Sequence, residues 1–274
     1  MLKRLLLLTA ILFSGVITKA QHPEWSAPYE PFRIAGNLYY VGTYDLACYL
    51  IVTSSGNILI NTGLDDSADM ITKNIEKLGF KPADIKILLT TQAHYDHLGA
   101  MAAIQRLTGA KMMVDRGDSA VVADGGKSDH ILDNSFAPVK VSRVLRDKET
   151  IKLGDVSLVM LHHLGHTKGS CSYLFTVRDS SRSYRVLIAN MPTIVTSKKF
   201  SEETSYPQIS SDYAYTLREM KKLKFDLWVA SHASQFDLHS KRKPGDKYNP
   251  AIFADRKGYD ESLRELEADY LKKK

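Results

Sequence analysis

The sequence predicts a layered α/β fold built as one domain, and three observations carry that expectation. Short runs rich in β-branched and aromatic residues alternate along the chain with segments whose apolar residues recur at helical spacing. Of the 274 residues, 44% are hydrophobic and 25% charged, which supplies a sizeable core and is too apolar for disorder. No linker, low-complexity tract or sequence repeat interrupts the alternation, and layered folds often exceed two hundred residues as single units.

The elements follow in order. Residues 38–44 (LYYVGTY), 47–53 (ACYLIVT) and 57–62 (NILINT) read as consecutive strands, with Ser54, Ser55 and Gly56 marking a hairpin turn. A helix follows over 68–78, where Met70, Ile71, Ile75 and Leu78 keep helical spacing and Gly79 stops it. The apolar run 85–89 is a strand, and 98–107 a helix through Met101, Ile104 and Leu107. The second half repeats the pattern, with strands at 157–162, 171–177, 185–189 and 227–231, a helix over 212–223 and a closing helix from about 260. Two architecturally similar halves are therefore expected.

Residues 1–20 stand apart from this pattern. Lys3 and Arg4 precede an apolar run over 5–17, and Ala20 precedes Gln21, as in a cleavable secretory leader, with a buried N-terminal helix as the alternative. The domain would then be residues 21–274. No cysteine lies near the cleavage point, so no lipid anchor is expected. Without Lys3, Arg4 and Lys19 the formal charge falls from +6 to +3, with 34 bases against 31 acids. The remaining cations are scattered, which argues against a nucleic-acid partner. Cys48 and Cys171 sit in apolar, strand-like segments and read as two buried side chains, with one disulfide as the alternative.

The chemistry concentrates in histidines and carboxylates. Gln92, His94, Asp96 and His97 form Q-A-H-Y-D-H in a strand-to-helix loop, and His166 and His232 each follow a strand-like segment. Loops at the carboxyl ends of strands are where layered α/β folds collect catalytic groups. Residues two apart in an extended loop face the same side, so Gln92 and His94 can address one metal while Asp96 and His97 address another. Zinc takes imidazole nitrogen and carboxylate oxygen readily. Singly, each residue has a plainer explanation: Asp96 as a helix cap, a lone histidine as a surface group. The recurrence of histidines after three strands favours metal. His22, His130, His162, His163 and His239 are not assigned as ligands, and Ser170 reads as turn chemistry with Gly169.

On these residues the chain resembles the metallo-β-lactamase superfamily, whose signature is H-x-H-x-D-H, and within it the third subclass of class B β-lactamases, of the GOB type. The similarity extends through YEPFRIAGNLYYVGTYDLA, KILLTTQAHYDH, LHHLGHTKGSCS, RVLIANMP and VASHASQFDLH. The resemblance implies an αββα sandwich with one or two zinc ions at one edge. It assigns Gln92, His94 and His166 to a first zinc and Asp96, His97 and His232 to a second. Gln92 stands where most of the superfamily has histidine, so the first site is expected to bind more weakly, an amide oxygen being a poorer donor than imidazole. Asn61 replaces the usual aspartate after the third strand. Met191 occupies the place where thioesterases, lactonases and tRNA-processing nucleases of the superfamily carry a bridging aspartate.

The activity implied is hydrolysis of the β-lactam amide of penicillins, cephalosporins and carbapenems by a metal-bound hydroxide, conferring antibiotic resistance. Asp96 is the expected catalytic residue, and Thr193 and Lys168 are candidates for the substrate carboxylate. The expected setting is a periplasmic monomer. A lactone or thioester hydrolase on the same fold is the nearest alternative, and a non-catalytic zinc-binding protein the alternative from another class.

Overall fold

Among the described residues of the computed structural model, which are 22–130, 134–180 and 182–274, twelve strands form two sheets. The expected leader, residues 1–20, lies outside the described residues. The first sheet orders β1 (Phe32–Ala35), β2 (Leu38–Tyr40), β3 (Tyr49–Thr53), β4 (Gly56–Ile60), β5 (Ile85–Leu89), β6 (Lys111–Asp115) and β7 (Val141–Leu145) in sequence. Its first four strands pair antiparallel and its last four parallel. The second sheet runs β12 (Leu227–Ala230), β11 (Ser183–Ala189), β10 (Cys171–Arg178), β9 (Val156–His162) and β8 (Thr150–Leu153).

The period of two along these strands explains the layering. Ile51, Ile58 and Ile60 turn inward with Met160, Tyr173, Phe175 and Ile188 to form the core between the sheets. Leu50, Leu59, Leu88 and Met112 turn outward beneath α1 (Ala68–Lys77) and α3 (Met101–Thr108), which contribute Ile71, Ile75, Met101 and Ile104. On the other side α5 (Ile209–Met220) and the C-terminal helix (Arg256–Lys273) bring Leu217, Met220, Tyr259 and Leu263 to the second sheet. Each such buried aliphatic side chain is worth about 1.5–3 kcal/mol against exposure. The result is the expected αββα sandwich.

Several elements depart from the sequence expectation. Strands β1, β6, β7 and β8 and the six-residue α4 (Ser119–Asp124) were not foreseen. The helix expected over 98–107 is two pieces, α2 (Tyr95–Leu98) and α3, where the Gly99 N–H reaches Gly63 O as well as Tyr95 O. Asp96 is therefore the second residue of α2 and not its cap. The two sheets differ in size, so the halves are alike in layering only. Cys48 and Cys171 are both buried and free.

Strand directions place the chemistry. β9, β11 and β12 run the same way, β9 and β11 each lying antiparallel to β10, so their carboxyl ends meet at one edge. The sheets are tied there: Ala47 N–H donates to Ser231 O, Cys171 N–H to Thr91 O, and the Tyr49 and Tyr173 hydroxyls to Ala230 O and Thr90 O.

Candidate metal centre

The loop after β5 is shaped by its neighbours before any histidine is considered. Asn61, in the left-handed region at φ 61°, accepts the Thr91 N–H on Oδ1 at 2.9 Å and donates Nδ2 to Thr91 Oγ1. The Thr90 hydroxyl closes onto Gln92 O at 2.6 Å. His94 is extended and caps α2, so Asp96 and His97 leave from the first helical turn. The Thr62 N–H donates to His97 O, which fixes that turn against the end of β4.

Asp96, His97 and His232 converge. Asp96 Oδ2 lies 3.2 Å from His97 Nε2 and 3.4 Å from His232 Nε2, and one donor atom from each residue falls within 4.8 Å of the others. Behind His232 stands Asp45, whose Oδ2 is 2.9 Å from His232 Nδ1 and whose Oδ1 accepts the Ser234 N–H. Burial opposes the Asp45 charge, yet these hydrogen bonds hold its pKa down to about 2. Burial likewise opposes a charged His232, but Asp45 and Asp96 carry it up to about 9. Asp96, although buried, is held well below the ordinary carboxylate range by His97 and His232.

His94 and His166 form a second pair, with Nδ1 and Nε2 facing at 3.1 Å. His166 Nδ1 sits 2.8 Å from Thr193 O and 3.0 Å from Thr193 Oγ1, and the Tyr213 hydroxyl donates to the same carbonyl. A carbonyl accepts only, so the proton is assigned to His166 Nδ1 and the lone pair to Nε2. Burial lowers the pKa of His94 to about 4 and of His166 to about 3, leaving both rings neutral at pH 7 as ligation requires. Gln92 is buried two residues before His94.

The donor set fits a zinc ion. His97 Nε2, which faces Asp96 within the cluster, is buried without a hydrogen-bond partner, a costly arrangement that a cation there relieves.

The loop carrying His166 is braced by close approach. The Asp118 carboxylate accepts the Thr167 hydroxyl at 2.7 Å and the Gly169 N–H at 2.8 Å, while Ser170 Oγ accepts the Thr167 N–H. A Cβ on Gly169 would stand 2.4 Å from Asp118 N, so glycine is required there. Lys168 is exposed, its Nζ 5.6 Å from the Tyr206 ring centre. Thr193 is half-buried with its hydroxyl turned to His166, and Met191 is buried. Trp25 stands 5.7 Å from the His232 ring and 6.3 Å from that of Tyr95, forming an aromatic rim. The unassigned His239 stacks on Tyr44.

Sequence reasoning missed Asp45. It lies in the two-residue gap between the strands expected over 38–44 and 47–53, 187 positions from the histidine it orients, and no local spacing marks it.

A family model described as the metallo-beta-lactamase superfamily matches residues 42–179. Among solved structures the chain is similar to the class B3 di-zinc metallo-beta-lactamase LRA-12 from an Alaskan soil metagenome. Identity is 65%, covering 93% of this chain and 98% of that one, with a TM-score of 0.92. It is also similar to the metallo-beta-lactamase GOB-18 from Elizabethkingia meningoseptica, at 60% identity over 92% and 94% of the two chains and a TM-score of 0.91. A curated N-acyl homoserine lactonase of Bacillus sp is 24% identical over 200 residues, 65% of this chain and 74% of that protein.

Proposed function

The chain belongs to the metallo-β-lactamase superfamily, and from that premise we propose that it is a zinc-dependent β-lactamase of the B3 kind. The observation that carries this is the pair of histidine clusters at one sandwich edge in a chain 65% identical, over nearly its whole length, to a di-zinc β-lactamase. Gln92, His94 and His166 hold one zinc, and Asp96, His97 and His232 the other. When bound, zinc supplies a water acidified toward neutral pH and a Lewis acid for the charge that develops on the amide.

The chain's own residues supply the positioning. Asp45 and Thr193 fix the His232 and His166 rings through their outer nitrogens, so that the inner nitrogens stay aimed at the centre. Asp96 accepts a hydrogen bond from the attacking water and turns it toward the carbonyl. Lys168 and Thr193 meet the substrate carboxylate, and Trp25 and Tyr95 shield the edge from bulk water. The substrates are penicillins, cephalosporins and carbapenems. Among the described residues no helix is long and apolar enough to cross a membrane. The basic-then-apolar run over residues 1–20 supports a leader for export to the periplasm, with the protein acting there as a monomer.

The similarity to a lactonase favours lactone hydrolysis as the second reading. Against it stands Met191, an apolar side chain where lactonases carry a bridging carboxylate. The test is hydrolysis of a penicillin, a carbapenem and an acyl homoserine lactone by purified protein, with chelator and then zinc add-back. Chelator-sensitive, zinc-restored β-lactam turnover is expected. Full zinc loading with lactone turnover alone would overturn the assignment.

A further inference from the structure

Between α4 and β7, residues 125–130 and residues 134–138 lie against each other on the His94 side of the centre. Gly126 has φ 94°, and a Cβ there would lie 1.6 Å from Asn134 O, so only glycine lets the two limbs of this loop meet. Asn134 thereby reaches the ligand loop. Its Nδ2 donates to Ala93 O at 2.7 Å and its Oδ1 accepts the Tyr95 N–H at 2.9 Å, so one side chain holds the residues on both sides of His94.

The same Nδ2 donates to Asp129 Oδ2 at 2.5 Å. Asp129 Oδ1 accepts the His130 N–H at 2.6 Å and lies 2.9 Å from His130 Nδ1, and the side chain is 3% exposed. This pinned carboxylate faces His94, with Oδ2 at 3.6 Å from Nε2, a buried nitrogen that lacks a hydrogen-bond partner. His94 Nδ1 is the nitrogen turned to His166. If Nδ1 donates its lone pair to a metal, the ring proton must sit on Nε2, next to Asp129. Gln92, His94 and His166 are all neutral donors, so no ligand of this site carries charge.

We propose that Asp129 is a positioning residue for the first metal site: held by His130 and Asn134, its carboxylate orients His94 and supplies the negative charge that Gln92 does not. The inference rests on the reading of Gln92, His94 and His166 as zinc ligands. A carboxylate behind a ligating histidine raises its basicity, and removing such a partner weakens metal binding about 10- to 100-fold.

The experiment is competition of the zinc-loaded holoenzyme against a chromophoric chelator, for wild type, Asp129→Asn, Asp129→Glu and Gln92→Ala. Asp129→Asn is expected to weaken one zinc equivalent about 10- to 100-fold and leave the other unchanged, with partial recovery in Asp129→Glu. The affected equivalent is the one lost in Gln92→Ala. Wild-type affinity at both equivalents in Asp129→Asn, or equal weakening of both with a lowered melting temperature, would overturn the proposal while the Gln92→Ala result upholds the ligand assignment. Two unchanged equivalents in Gln92→Ala would overturn the assignment and the proposal together.

Discussion

In the Asp96 half of the centre a carboxylate stands among the donors, and a second, Asp45, lies hydrogen-bonded behind His232. In the Gln92 half the proposed donors are an amide and two imidazoles, the imidazoles kept neutral by burial, with a backbone carbonyl behind His166 and Asp129 behind His94. The contrast teaches that coordination geometry and site charge are built separately. The Gln92 half has well-placed neutral nitrogens, whereas the Asp96 half concentrates charge so strongly that its two carboxylates raise the pKa of His232 to about 9.

The sharpest way to break the comparison is Asp96→Asn, which leaves neither set of donors with a carboxylate. Loss of the second zinc and of the water-orienting oxygen is expected to cost about 10³-fold or more in kcat/KM, several kcal/mol of transition-state stabilisation. Steady-state kinetics at saturating zinc reads it. Turnover within tenfold of wild type would mean the Gln92 half carries catalysis alone.

Next comes a test on the scaffold of the Gln92 half. Burial raises the Asp118 pKa to about 7 against the hydrogen bonds from Thr167 and Gly169. Because the folded value lies above the ordinary one, its contribution to stability is full below about pH 4 and is lost as pH rises through about 7. Across that window the loss is at most about 4 kcal/mol. Thermal melts of wild type and Asp118→Asn should therefore diverge, the variant gaining relative stability from pH 4 to pH 8. A constant difference would show that Asp118 does not titrate there.

Asp45→Asn strips the outer carboxylate from the Asp96 half and leaves the donor carboxylate in place. Second-zinc affinity is expected to fall about 10- to 100-fold, read by chelator competition. The smallest expected effect is Gln92→His, which exchanges the amide for imidazole. First-zinc affinity should rise roughly tenfold, about 1.4 kcal/mol, by calorimetric titration.

The legible parts of this molecule are the locally encoded ones. Strands β3, β4, β5 and β9 to β12 are buried runs long enough for their pattern to speak, and each was expected near its observed place. Strands β1 and β8 have four residues each and β7 is largely exposed, so their burial pattern carries little signal. In the centre, His94, Asp96, His97, His166 and His232, which the fold brings together, were legible because they stand in short, chemically dense motifs.

What the sequence by itself determined is therefore the inventory: which donors exist, that four of them share one six-residue stretch, and that each histidine group follows a strand. Only the tertiary structure decided which side chain stands behind which ligand. Asp45 reaches His232 across 187 positions, and Asn134 reaches the flanks of His94 across about 40. The physical reason is that a hydrogen bond of 2.9 Å is a property of two packed sheet edges and of loop segments lying against each other, and no local period in the chain encodes such a distance.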